Sequence, residues 1–143
     1  MSDLDQLRSI TLVKTGEHRF EAVSGSGARL PVGEGEDVFS PVELLLTAIA
    51  ACSALDLDYI TGRRAPMTDF RARSEGHKVR DTDGNHLTDL KVTFDIGFPE
   101  GPDGDAARAV LPDALRKSHD RLCTVARTVM LGTPVEHVLG SAD

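Results

Sequence analysis

Two residues in this chain carry side chains reactive enough for covalent redox chemistry, Cys52 and Cys123. A thiolate is a nucleophile and can pass through a sulfenic acid to a disulfide, so two thiols that meet form a redox pair. The two stand far apart and make no C-x-x-C, which argues against a structural zinc site. By count alone, two inert core residues are the favoured reading.

Their local settings differ. Cys52 falls well inside a predicted apolar helix, where the helix dipole gives no help and burial raises a thiol pKa. It reacts only if the fold brings it a positive charge. Cys123 lies three residues after Asp120, a residue suited to cap a helix, where the dipole favours thiolate, and Arg127 follows one turn on. Equally, Leu122, Val125, Ala126 and Val129 can form a core face that includes Cys123, and the sequence leaves both readings open. Glu43 is a further charged group with chemical potential, as a general base or as a charge partner. It also completes a capping box with Ser40. At about 100° per residue, an unbroken helix puts Glu43 and Cys52 on opposite faces.

Other chemistries lack their motifs. His18, His77, His86, His119 and His137 show no ligand spacing, so no metal is expected. There is no phosphate loop, no G-x-G-x-x-G after a strand and no G-x-S-x-G, and no cofactor is expected. A net charge of -7 argues against a nucleic-acid partner and against docking on anionic lipid. The local basic spots at Arg63-Arg64 and Arg71-Ala72-Arg73 read as solvated surface.

The elements that must position these residues follow from pattern. With 143 residues, 40% of them apolar and 4% aromatic, one domain over 1–143 with an aliphatic core is expected. Residues 9–14, 18–23 and 28–32 read as a β-meander with glycine-bearing turns. Ser40, Pro41 and Glu43 then open a helix that runs to about Thr61, where Gly62 ends it. From Leu44 to Leu55 this helix has no charge on any face, which predicts a central buried helix. Residues 69–78 and 87–98 read as two long strands around a loop at 81–85, with Asp83-Gly84 as the turn signal. A helix over 105–119 contains Pro112 and is expected to kink or start late. Asp120 caps a short helix over 122–131, and residues 134–139 read as a last strand. Partly segregated strands and helices make the class α+β. Residues 1–8 are polar and mixed in charge, unlike a signal peptide, and the apolar run at 44–54 is too short to span a bilayer. A cytoplasmic protein with no membrane partner is the expectation.

The stretch Ser40-Pro41-Val42-Glu43-Leu44-Leu45-Leu46, continued through Ala50-Ala51-Cys52-Ser53-Ala54, resembles the OsmC/Ohr family. Leu122-Cys123-Thr124-Val125-Ala126 is similar to that family's second cysteine motif, and the element order agrees across nearly the whole chain. The S-P-x-E form followed by Cys-Ser-Ala looks closer to an OsmC-like branch than to the organic hydroperoxide resistance branch. Counted back from Cys52, that branch's glutamate falls on Val42, one residue before Glu43. The resemblance implies an intertwined homodimer, with antiparallel sheets wrapped around a long central helix. It implies thiol-dependent reduction of organic hydroperoxides, with an external thiol or dithiol as reductant. Cys52 would attack the peroxide and Cys123 would resolve the sulfenic acid. An arginine from an N-terminal strand, here Arg19 with Arg29 behind it, would stabilise the thiolate, and Glu43 would hold the arginine. Two alternatives stand beside this one: a non-enzymatic stress protein binding a small apolar ligand, and a redox-sensing thiol pair.

Overall fold

A computed structural model of the protein describes residues 5–143. They form two compact units, divided between Leu45 and Leu46.

The first unit is built by turn chemistry. Strands β1 (Ile10–Gly16), β2 (Arg19–Ser24) and β3 (Arg29–Gly33) pair antiparallel in the order β1-β2-β3, as the sequence predicts to within two residues. Glu17 and His18 make the first turn, with His18 at a φ of 56°. A Cβ on Gly33, whose φ is +147°, would stand 2.3 Å from the His18 carbonyl oxygen, so glycine is required where β3 passes that turn. The Ser24 hydroxyl accepts the Ala28 N–H at 3.0 Å and closes the second turn. Ile10, Leu12, Val13 and Leu30 are exposed on this sheet, and Val32 is buried.

Helix α1 (Pro41–Gly62) opens with the predicted capping box. The Ser40 N–H donates to Glu43 Oε1 at 3.0 Å and the Glu43 N–H to Ser40 Oγ at 3.2 Å, satisfying two of the helix's orphan donors.

In the second unit α1 buries a single stripe, Ile49, Ser53, Leu57 and Thr61, spaced one turn apart. The expectation of burial on all faces is therefore corrected within one chain, where Leu55 and Tyr59 lie exposed. One stripe is all that a helix offers to neighbours on one side. By length and composition α1 could cross a membrane, and it extends well beyond the apolar run at 44–54. Its buried stripe and its Asp56, which accepts a hydrogen bond from the buried Ser118, are those of a core helix.

Strands β4 (Asp69–Asp81) and β5 (Gly84–Gly97) form an antiparallel hairpin. Asp81 pairs with Gly84, so the turn is only Thr82 and Asp83, tighter than the loop the sequence suggests. Asp81 Oδ1 accepts the Asp83 N–H at 2.9 Å, and Gly84 takes a φ of 96°, which fixes the short connection. Ala65, Phe98 and Ala107 form a core cluster, with Met67, Ile96 and Leu111 packed on it.

Helix α2 (Pro102–Lys117) starts earlier than predicted, because Pro102 is pre-set for the first turn. It carries Pro112 without ending there. Pro112 is exposed, so the missing N–H falls on a solvent-accessible side. A π-helical turn, Ser118–Leu122, follows. It displaces the predicted cap: Asp120 lies within the turn, beside His119, and helix α3 (Thr124–Met130) is capped by Cys123 itself. The predicted strand at 134–139 does not form. The β4–β5 sheet stays two-stranded, and Val135, Val138 and Leu139 are exposed.

Candidate functional site

The second unit brings the two cysteines together. Cys52 is half-buried on the third turn of α1, and Cys123 is fully buried between the π-turn and α3. The Cys123 thiol lies within hydrogen-bonding reach of Cys52. Both are free thiols.

The first turn of α3 serves both sulfurs. The Ala126 N–H donates to Cys123 Sγ at 3.4 Å, and the Val125 N–H donates to the Cys52 sulfur. Cys123 is extended, with φ -73° and ψ 99°, which is how a cap residue turns its side chain back toward the helix's free N–H groups.

Burial pushes the Cys52 thiol above its ordinary pKa. The Val125 N–H pulls it down, while the Cys123 thiol and the Asp56 carboxylate add to the rise. The nearby full charge acting on Cys52 is thus an anion. Asp56, one turn further along α1, accepts a hydrogen bond from Ser118 Oγ at 2.8 Å. Ser118 is fully buried, and its carbonyl oxygen accepts the Cys123 N–H at 2.9 Å.

A cavity of about 490 Å³ lies in the same unit, with walls from Ile49, Val92, Phe94, Leu115 and Met130. Ser53, the neighbour of Cys52 in sequence, also lines it. Among the described residues, no cluster of His, Cys, Asp and Glu is arranged to hold a metal ion.

Arg19 and Glu43 belong to the first unit. The Arg19 guanidinium forks onto Asp37, with Nη1 at 3.0 Å from Oδ1 and Nη2 at 2.9 Å from Oδ2. This bidentate pair raises the arginine's pKa and holds the aspartate's below the usual carboxylate range. The carboxylate on Arg19 is therefore that of Asp37. Glu43 is held by Ser40, whose backbone N–H and hydroxyl lower its pKa. Behind Arg19, Arg29 Nη1 donates to Glu21 Oε1.

The family model for OsmC-like proteins matches residues 33–138, which contain both cysteines, the capping box and the whole of the second unit's regular structure. The chain belongs to the OsmC-like protein family. This OsmC-like protein is 29% identical over 124 residues to an uncharacterised protein of Mycobacterium tuberculosis, with 85% of this chain and 88% of that one covered. Its fold is that of an OsmC-like protein from Vibrio cholerae, at a TM-score of 0.72 and 12% identity, covering 87% of this chain and 94% of the other. It is similar in fold to the organic hydroperoxide resistance protein OhrB of Bacillus subtilis, at a TM-score of 0.52 and 15% identity, covering 86% and 90%.

Sequence reasoning about this OsmC-like protein passes over Asp56, Ser118 and Val125. Asp56 gives one signal, as the residue where charge returns to an otherwise apolar helix. Ser118 gives none, because an isolated serine near a helix end is ordinary. Val125 acts through its backbone, which no side-chain motif reveals.

Proposed function

We propose that this protein is a thiol peroxidase that reduces organic hydroperoxides by a sulfenic acid and a disulfide. The observation that carries the reading is the meeting of the Cys52 and Cys123 thiols beside the α3 N–H groups. The Cys52 thiolate attacks the distal peroxide oxygen. The O–O bond breaks, the alkoxide takes a proton and leaves as the alcohol, and Cys52 becomes the sulfenic acid. Cys123 attacks that sulfur, the S–S bond forms, and the hydroxyl leaves with the Cys123 proton as water. An external thiol or dithiol then reduces the disulfide by exchange. A half-buried attacking thiol beside a fully buried second one fits this division of roles, and the apolar cavity next to Ser53 fits an alkyl group. Arg19 and Glu43, which the resemblance makes the stabilising charge and its holder, are paired with Asp37 and Ser40, and the α3 N–H groups are what acts on the sulfurs.

The reading includes a homodimer in the cytoplasm. A second copy of the chain would cover the exposed Leu55 and Tyr59 of α1 and the exposed apolar residues of β1, and light scattering should give twice the chain mass.

The deciding assay is steady-state consumption of an alkyl hydroperoxide and of hydrogen peroxide with a dithiol reductant. Turnover that disappears in Cys52→Ser supports the proposal. Consumption unaffected by that substitution defeats it. The anion beside Cys52 favours a second reading, a slow redox-sensing pair. In that case one equivalent of peroxide produces the disulfide in mass spectra, without sustained turnover.

A further inference from the structure

We infer that Asp56 is a positioning residue for Cys123: through the hydroxyl of Ser118 it ties the π-turn to α1 and so holds the second thiol against the first. The inference rests on the proposed disulfide chemistry for its purpose, but on separate contacts for its geometry.

Ser118 makes the connection with two different groups. Its hydroxyl donates to Asp56 Oδ2 at 2.8 Å. Its carbonyl oxygen accepts the Cys123 N–H at 2.9 Å, the bond that closes the π-turn. A line of two hydrogen bonds thus runs from the α1 carboxylate to the backbone of Cys123. Asp56 stands one turn after Cys52 on the same helix, so both ends of the line refer to one rigid element. Ser118 and Cys123 are completely buried. Water does not reach the Ser118 end of either bond, Asp56 itself is half-buried, and a hydrogen bond to a charged acceptor is among the stronger ones. A π-turn inserts an extra residue into a helical path, a device common at functional sites. Here it ends in an extended Cys123 whose sulfur turns back over α3. Without its anchor, the turn is free to relax toward the α-helical path of α2, and Cys123 moves off Cys52.

The test uses the full chain as wild type and as Asp56→Ala, Asp56→Asn and Ser118→Ala. Each is equilibrated with mixtures of reduced and oxidised glutathione. Cys52 first exchanges into a mixed disulfide, releasing one glutathione thiol. Cys123 then displaces the second glutathione to give the intramolecular disulfide. Mass spectrometry of the Cys52–Cys123 peptide gives the effective concentration of the pair. Asp56→Ala and Ser118→Ala should lower it about tenfold or more, the loss of one hydrogen bond to a charged group. Asp56→Asn keeps an oxygen that accepts from Ser118 and should stay within about threefold of wild type. If Asp56→Ala fails to fold, Ser118→Ala, which removes only a hydroxyl, decides alone. Unchanged values in Ala variants that fold, an Asn variant that falls as far as Asp56→Ala, or a wild type that forms no disulfide each overturn the inference. Hydroperoxide consumption is measured on the same proteins. A wild type that forms the disulfide but consumes no hydroperoxide defeats the peroxidase and leaves the anchor standing.

Discussion

Cys52 should become reactive late as the pH rises. Its ordinary pKa is 9.0, and burial above all, then the Cys123 thiol and Asp56, push it higher against the single opposing bond from Val125. A thiol with a pKa of 9.0 is ionised about once in a hundred molecules at pH 7, so Cys52 is ionised less often than that. Alkylation proceeds through the thiolate. The rate of iodoacetamide modification at Cys52, followed by peptide mass spectrometry, should lie below that of an unstructured cysteine peptide at pH 7. It should climb about tenfold per pH unit through pH 9 without levelling. Hydroperoxide consumption limited by the same thiolate should follow the same slope. The effect on stability has a definite sign. A pKa raised by folding contributes stability that is complete below the unfolded value and lost as the pH rises through the folded one, so the fold weakens in alkaline solution. A plateau below pH 8, or modification faster than the free peptide at pH 7, would refute this reasoning. Either outcome requires a cation beside Cys52.

Three further outcomes concern the scaffold. Leu57→Ala removes a fully buried side chain from the α1 stripe and should cost about 2–5 kcal/mol in chemical denaturation, with the hairpin sheet retained. Gly104→Ala would place a Cβ 1.6 Å from the Pro99 carbonyl oxygen, forcing the start of α2 to move. Its melting temperature should fall well below that of Gly62→Ala, a site where a Cβ meets nothing within 4 Å. Ser40→Ala loses one half of the capping box and should destabilise the protein by about 1 kcal/mol, read as a fall of a few degrees in thermal melting.

What the sequence reveals depends on how local the physics is. The Ser40–Glu43 box is legible because donor and acceptor lie three residues apart and both side chains are typical of the motif. The meander and the hairpin are legible because alternation and turn residues are also short-range signals. The cap of α3 is misread for a chemical reason: aspartate is the better cap by preference, yet the π-turn keeps Asp120 short of the helix start and leaves a sulfur at the cap position. The strand expected at 134–139 pairs with neither sheet although both have open edges, and pairing is a property of the fold rather than of the segment. For the site, the two cysteines and Glu43 stand out by residue type. The contacts that surround them do not. Asp56 and Ser118 meet across 62 residues, and Arg19 finds Asp37 across 18.

The sulfur of Cys123 is at once a thiol and the cap of α3. A bond to Cys52 turns this sulfur away from the Ala126 N–H, so oxidation at this atom loosens the first turn of a helix only seven residues long. The amide of Ala126 then exchanges with solvent sooner, and the segment from Leu131 to Asp143, exposed throughout, loses the support of the helix that precedes it. Deuterium uptake at one backbone position becomes a label-free gauge of the electron count on the thiol pair.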